Sequence, residues 1–323
     1  IMIKKIFINF LIVSFSFLFT FFLCEILLRA KHTLFYDYDI EQWRYAKKLK
    51  IKHLNTKIGH THIVSKKAKL QGVTIKINKY GQRDREYTNE DLKKFDRSFL
   101  FIGSSITLGW GVESNDTFIS KLNVLSKAQN KNWLFINGGI GNYNTERYVN
   151  NYFENWQNLN FTDIVIHYFV NDTEVINQDN SNFFIRNFQT AVMLWKYLNS
   201  LRSEYSIENL GEYYEKKYNK NYIGYQKTLS ELKRFSDFCI IREINCHLVM
   251  MPDIYQLNPY KLKFIHNIMK KNSEKLNFKY YDLLEDIEIV TPSKLLWNDY
   301  NDPHPNILAH KIISKSLMNF FIK

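Results

Sequence analysis

The chain opens on an almost unbroken apolar run, Ile6 to Leu28, preceded by Lys4 and Lys5. At about 1.5 Å of rise per residue, a helix of this length crosses a hydrocarbon core of roughly 30 Å. A cleaved signal peptide has a shorter apolar core and a small-x-small exit, and Leu28-Arg29-Ala30 does not offer one. An uncleaved anchor over residues 1–29 is therefore expected. Glu25 stands near its far end, where a carboxylate reaches the interface. Lys4 and Lys5 favour a cytoplasmic N-terminus, against competition from Arg29 and Lys31. The remainder is then expected on the extracytoplasmic (periplasmic) side of a bacterial cytoplasmic membrane, which it contacts through residues 6–28.

Residues 30–96 are polar, basic and aromatic and show no long helical stripe. Val73 to Ile77 alternates like a strand, and Asn78 to Gly81 reads as a turn. This stretch is expected to be a stalk and an extension packed on the main domain. From residue 97 to 323 short apolar runs alternate with amphipathic stretches. Strands are predicted at Ser98–Ile102, Trp133–Asn137, Asp163–Val170, Cys246–Met251 and Lys279–Leu283. Helices are predicted around 118–129, 145–156, 227–241, 260–276 and 307–321. Strand followed by helix, repeated, implies a parallel sheet covered on both faces. A polar, aromatic insertion at 173–222 interrupts the alternation, with a helix-like stretch from Ala191 to Leu201.

Composition adds limits. Hydrophobic residues make up 45% of 323 residues, enough for a sizeable core. The net charge is +12, but the lysines are scattered and form no dense basic stripe with interleaved aromatics, so no nucleic-acid partner is expected. Cys24, Cys239 and Cys246 show neither zinc-ligand spacing nor a disulfide framework, and buried free thiols are expected. No metal or other cofactor is implied. His167 and His247 lie inside apolar strands and read as core histidines.

The chemistry concentrates where predicted strands end. Gly103-Ser104-Ser105 follows the first, Asn137-Gly138-Gly139 the second and Asn171-Asp172 the third. Asp302-Pro303-His304-Pro305 precedes the last helix. In a parallel sheet these turns gather at one edge, where open α/β sheets bind ligands. Acyl transfer needs a nucleophile, a base titrating near neutrality and a carboxylate that fixes the base's tautomer. Ser105, His304 and Asp302 supply those types. Backbone N–H groups of Ser105 and Gly139, with the Asn171 amide, are candidate donors to an oxyanion. Ser104 is a rival nucleophile, Asp299 is an alternative partner for the histidine, and Asp172 is expected to cap the following helix. His310 reads as a structural residue of the last helix.

In these blocks the chain resembles the SGNH hydrolases, or GDSL esterases, of the membrane-anchored bacterial type. Ser105, Gly139, Asn171 and His304 match the four named residues in order, within about residues 97–323. Tyr143-Asn144-Thr145, His310 and the segment Asn78–Tyr87 extend the match. The chain departs from the pattern at Ser104, where the family has Asp, and at Phe169, where it has Gly. Asn301 stands three residues before the histidine, where many members have Asp. The resemblance implies a three-layer α/β/α domain with a central, mostly parallel five-stranded sheet of flavodoxin-like type. It implies a serine esterase acting through an acyl-enzyme on short acyl esters, O-acetyl above all, of cell-envelope glycans. Two alternatives stand beside it. One is an O-acetyltransferase using the same triad on a surface polysaccharide. The other is a catalytically decayed glycan-binding or scaffold domain.

Overall fold

The computed structural model describes residues 2–177, 181–201, 209–300 and 302–323. Five strands form the central sheet: β1 (Arg97–Gly103), β2 (Trp133–Gly139), β3 (Asp163–Phe169), β4 (Asn245–Met251) and β5 (Lys279–Asp282). Their order is β2-β1-β3-β4-β5, and every neighbouring pair is parallel. This is the expected flavodoxin-like arrangement. Ten helices serve the description: α1 (Met2–Leu34), α2 (Tyr38–Leu49), α3 (Ser105–Leu108), α4 (Phe118–Ala128), α5 (Thr145–Asn151), α6 (Phe183–Asn187), α7 (Gln189–Ser200), α8 (Ile223–Ile241), α9 (Lys263–Lys275) and α10 (Ile307–Ile322).

The strands read as continuous apolar runs because both faces of the sheet are covered. Phe99 and Phe101 of β1 point to one face, among Phe118 and Leu122 of α4 and Ile313 and Leu317 of α10. Leu100 and Ile102 point to the other, among Val149 of α5, Leu232 and Phe235 of α8 and Ile265 of α9. The period-two side-chain alternation of a strand thus builds the two outer layers from one run of residues. At the amino edge, Arg97 and His247 both bond the buried Asp163, at 2.6 and 2.9 Å, so His247 has a structural partner.

The chain divides into two compact units, residues 49–179 with 205–323, and residues 1–48 with 180–204. The larger holds the sheet. It also holds two hairpins ahead of the sheet, 50–52 with 60–62 and 67–70 with 73–76; the second contains the strand predicted at Val73. The smaller is built from α1, α2, α6 and α7. In it Glu25 of α1 accepts from the Gln189 and Thr190 N–H groups at 3.1 and 2.9 Å, and His32 Nδ1 lies 2.8 Å from Gln189 Oε1. α1 is long and apolar enough to cross a membrane.

Three expectations are corrected. The start of the 30–96 stretch, expected to hold no long helical stripe, is mostly helical: α1 runs on to Leu34, and α2, from Tyr38, buries Ile40, Tyr45 and Leu49. Glu41 is buried on the same face, so the sequence shows no continuous apolar stripe there. Cys239 and Cys246 form a disulfide, because the short turn from α8 into β4 brings their Cα atoms to 6.2 Å; Cys24 is free and exposed. Asp172 caps no helix. Its carboxylate turns back to accept from Phe169 N–H and the Tyr148 hydroxyl, while Asn144 caps α5. Part of the 173–222 insertion, and Asn301, lie outside the described residues.

Candidate active site

The strand order reverses beside β1, and in doubly wound sheets the crevice outside the carboxyl ends of the strands at that point takes the ligand. Gly103, the last residue of β1, pairs with Gly139 of β2 and His167 of β3. A Cβ at Gly103 would stand 2.2 Å from Thr107 Oγ1, so only glycine lets the chain fold straight back into α3. Gly139 has the same constraint, since a Cβ there would stand 2.2 Å from the Leu108 nitrogen. The two glycines let α3 sit directly on the strand ends, with Ser105 at its first position.

Ser105 Oγ lies 2.8 Å from His304 Nε2, and His304 Nδ1 lies 2.6 Å from Asp302 Oδ1. Both side chains flanking the imidazole are therefore in bonding contact with it. Asp302 and His304 sit on a short strand, 302–305, paired antiparallel with 297–299. The Pro residues on either side of His304 fix φ and limit its freedom. Asp302 is 1% exposed. Burial pushes its pKa up, but the bonds from His304 and Gln71 outweigh this and hold the carboxyl below the usual range. Gln71 donates to Asp302 Oδ2 at 2.8 Å and Asn298 at 3.3 Å. Asp299 is exposed and turns its carboxylate to the Tyr300 N–H. Ser104 is buried as the residue before α3, and its side chain makes no capping bond.

The candidate oxyanion donors differ among themselves. Gly139 N–H donates to Asn137 Oδ1 at 3.0 Å. The Asn171 side chain, half-buried just past β3, makes no hydrogen bond among the described residues. Ser105 N–H belongs to the first turn of α3, where no intrahelical acceptor exists.

Sequence reasoning missed the braces behind this edge. Arg83 is buried and donates to the carbonyls of Leu108, Gly109 and Val112 at 3.0, 2.6 and 2.7 Å, which holds the end of α3. Asp84 accepts from Asn137 N–H at 2.8 Å, and burial pushes its pKa up to about 6. The segment Asn78–Tyr87 was visible as a match, but its role was not. His167 Nδ1 lies 3.0 Å from Thr107 Oγ1. His310 Nδ1 accepts from Phe118 N–H at 3.1 Å, at the start of α4. Burial pushes both histidines down to about 3, so both are neutral core residues. Among the described residues no cluster of His, Cys, Asp and Glu is arranged to hold a metal.

No protein-family model matches the chain, and no curated protein matches it. Solved structures do. The esterase EstA from Pseudoalteromonas sp. is 14% identical over 71% of this chain and 100% of its own, with a TM-score of 0.44. LAE5, an α/β hydrolase from the metagenome of Lake Arreo, is 11% identical over 70% of this chain and 94% of its own, at 0.47. A catalytic mutant of Axe2, an acetylxylan esterase from Geobacillus stearothermophilus, is 15% identical over 70% and 94%, at 0.45. At such identities no activity passes from them to this chain.

Proposed function

We propose that this protein is a membrane-anchored serine esterase that removes acyl groups, O-acetyl above all, from cell-envelope glycans through an acyl-enzyme. The observation that carries the reading is the continuous bonded line Ser105 Oγ, His304 Nε2, His304 Nδ1, Asp302 Oδ1. In the reading, His304 Nε2 takes the Ser105 proton as Oγ attacks the ester carbonyl. The imidazolium then gives that proton to the departing alcohol oxygen, leaving the acyl group on Ser105. Water attacks the acyl carbonyl next and loses a proton to Nε2, and Nε2 passes that proton to Oγ as the Oγ–acyl bond breaks and the acid departs. Asp302 remains ionised and stabilises the imidazolium. Ser105 N–H and the Asn171 amide are the open oxyanion donors, each worth about 3 kcal/mol in the transition state. Gly139 N–H joins them by exchanging its bond to Asn137.

The apolar helix α1 supports the anchor, and the Cys239–Cys246 disulfide supports an oxidising, extracytoplasmic setting. The glycan substrate follows from the resemblance of the sequence blocks. The test is acetate release from acetylated glycans, together with labelling by a fluorophosphonate probe. Wild type is expected to label and to release acetate; Ser105→Ala is expected to do neither, with turnover down on the order of 10⁴-fold or more. Absence of labelling in folded wild type sinks the reading. Acetate release that falls when a glycan acceptor is added, with acetyl recovered on the acceptor, replaces it with the transferase.

A further inference from the structure

Away from the triad, the smaller unit carries a cleft of about 320 Å³ between α1, α2 and the start of α7. Its wall includes Arg29, Trp43, Arg44, Lys47 and Lys48. Two of these charges are balanced. Arg29 pairs with Glu25 at 2.6 Å and Arg44 with Glu41 at 2.5 Å. Lys47 and Lys48 have no carboxylate partner among the described residues; Lys47 lies 5.1 Å from the centre of the Trp43 ring. The cleft therefore holds an excess of positive charge beside an indole whose Nε1–H is fixed by the Ile185 carbonyl at 2.9 Å.

Its position along α1 matters as much as its charge. Arg29 is the first cation after the apolar run that ends at Leu28. Below it, Phe188 packs edge-on against Phe21 and Phe22, at 5.3 and 6.2 Å, so the α6–α7 junction clasps the apolar part of α1. α6 and α7 expose Phe183, Phe184, Leu194, Trp195 and Leu198. A helix pair with exposed aromatic and aliphatic side chains, continuous with a spanning helix and flanked by lysine and arginine, suits the headgroup boundary of a bilayer.

We propose that this cleft binds the phosphate headgroup of an anionic membrane phospholipid, held by Lys47 and Lys48 and bordered by Trp43. The inference rests on α1 spanning the membrane. An open basic recess at that depth, with Lys47 and Lys48 exposed, faces the lipid phosphates, and anionic headgroups attract lysines near the membrane surface.

The test uses the full chain purified in neutral maltoside detergent and titrated calorimetrically with dihexanoylphosphatidylglycerol. Dihexanoylphosphatidylcholine and inorganic phosphate are the comparison arms. Saturable binding is expected for the phosphatidylglycerol alone. Lys47→Gln with Lys48→Gln is expected to weaken it tenfold or more, and Lys47→Arg with Lys48→Arg to restore it. Melting curves and Ser105-dependent turnover should match wild type in both variants. Equal binding of phosphatidylcholine overturns the proposal. So does inorganic phosphate binding as tightly as the lipid, which makes the cleft a free-phosphate site. Indifference to the glutamine pair overturns it as well. Alkaline carbonate washing of membranes tests the anchor separately. A chain released by the wash refutes the spanning helix, whereas a retained chain without lipid binding refutes the cleft alone.

Discussion

At the scale of single residues, the proposed chemistry depends on how Asp302 is held. Its carboxylate receives His304 on one oxygen and Gln71 with Asn298 on the other, so it remains ionised and cannot rotate away from the imidazole. Asp302→Asn keeps the shape but presents an amide, which favours the wrong imidazole tautomer. Turnover is expected to fall on the order of 10⁴-fold, with the fold unchanged by circular dichroism. Gln71→Ala removes one of the two side-chain donors to Oδ2, and a loss of about tenfold in kcat with little change in KM is expected. If Gln71→Ala instead raises KM alone, Gln71 contacts substrate and does not orient the carboxylate. Because the folded pKa of Asp302 is depressed, its contribution to stability is present above the unfolded pKa and is lost as pH falls through the folded one.

At the scale of elements, two braces set the site. Arg83 bonds three carbonyls at the end of α3 and just beyond it. Arg83→Met is expected to slow fluorophosphonate labelling at least tenfold, since α3 carries the proposed nucleophile, and to lower stability by about 2 kcal/mol in urea titrations. The disulfide fastens α8 to β4 across a separation of seven residues. Reduction is expected to cost about 2 kcal/mol of stability while leaving labelling of Ser105 intact at 25 °C. Neither brace was legible in the sequence, whereas the sheet was. β1, β3 and β4 are apolar runs because both faces are covered, and a turn of small residues follows β1. This pattern is local, and so it survives in the order of residues. Arg83 and Gln71 act on partners far along the chain, on backbone carbonyls and a carboxylate that no spacing rule connects to them. The register of the motif pointed to Ser105 over Ser104, and the bond to His304 falls on Ser105. The helix α2 hid because its buried face, Ile40, Glu41, Tyr45 and Leu49, includes a carboxylate and so reads as no apolar stripe.

At the scale of the whole molecule, buried titratable groups oppose one another. His62, His167 and His310 are held at about 4, 3 and 3 by burial, so the folded chain stays neutral there while the unfolded chain takes up protons from about pH 6.5 downward. Their contribution to stability is lost as pH falls. Asp172, pushed up to about 8 by burial, and Asp84 at about 6 act in the other sense, and theirs is lost as pH rises from about 4. Stability is expected to vary little between pH 7.5 and 5 and to drop steeply below 4, measured by denaturant titration at each pH. Asp172→Asn removes one opposing term, so stability should then rise from pH 5 to 7.5. A wild-type curve that rises steeply over that interval contradicts the offset. Ser105 and His304, the proposed nucleophile and base, stand 199 residues apart. A ribosome therefore makes the alcohol long before the imidazole. Until the strand 302–305 is made and docks, Ser105 Oγ has no imidazole beside it, and the proposed chemistry waits on that step.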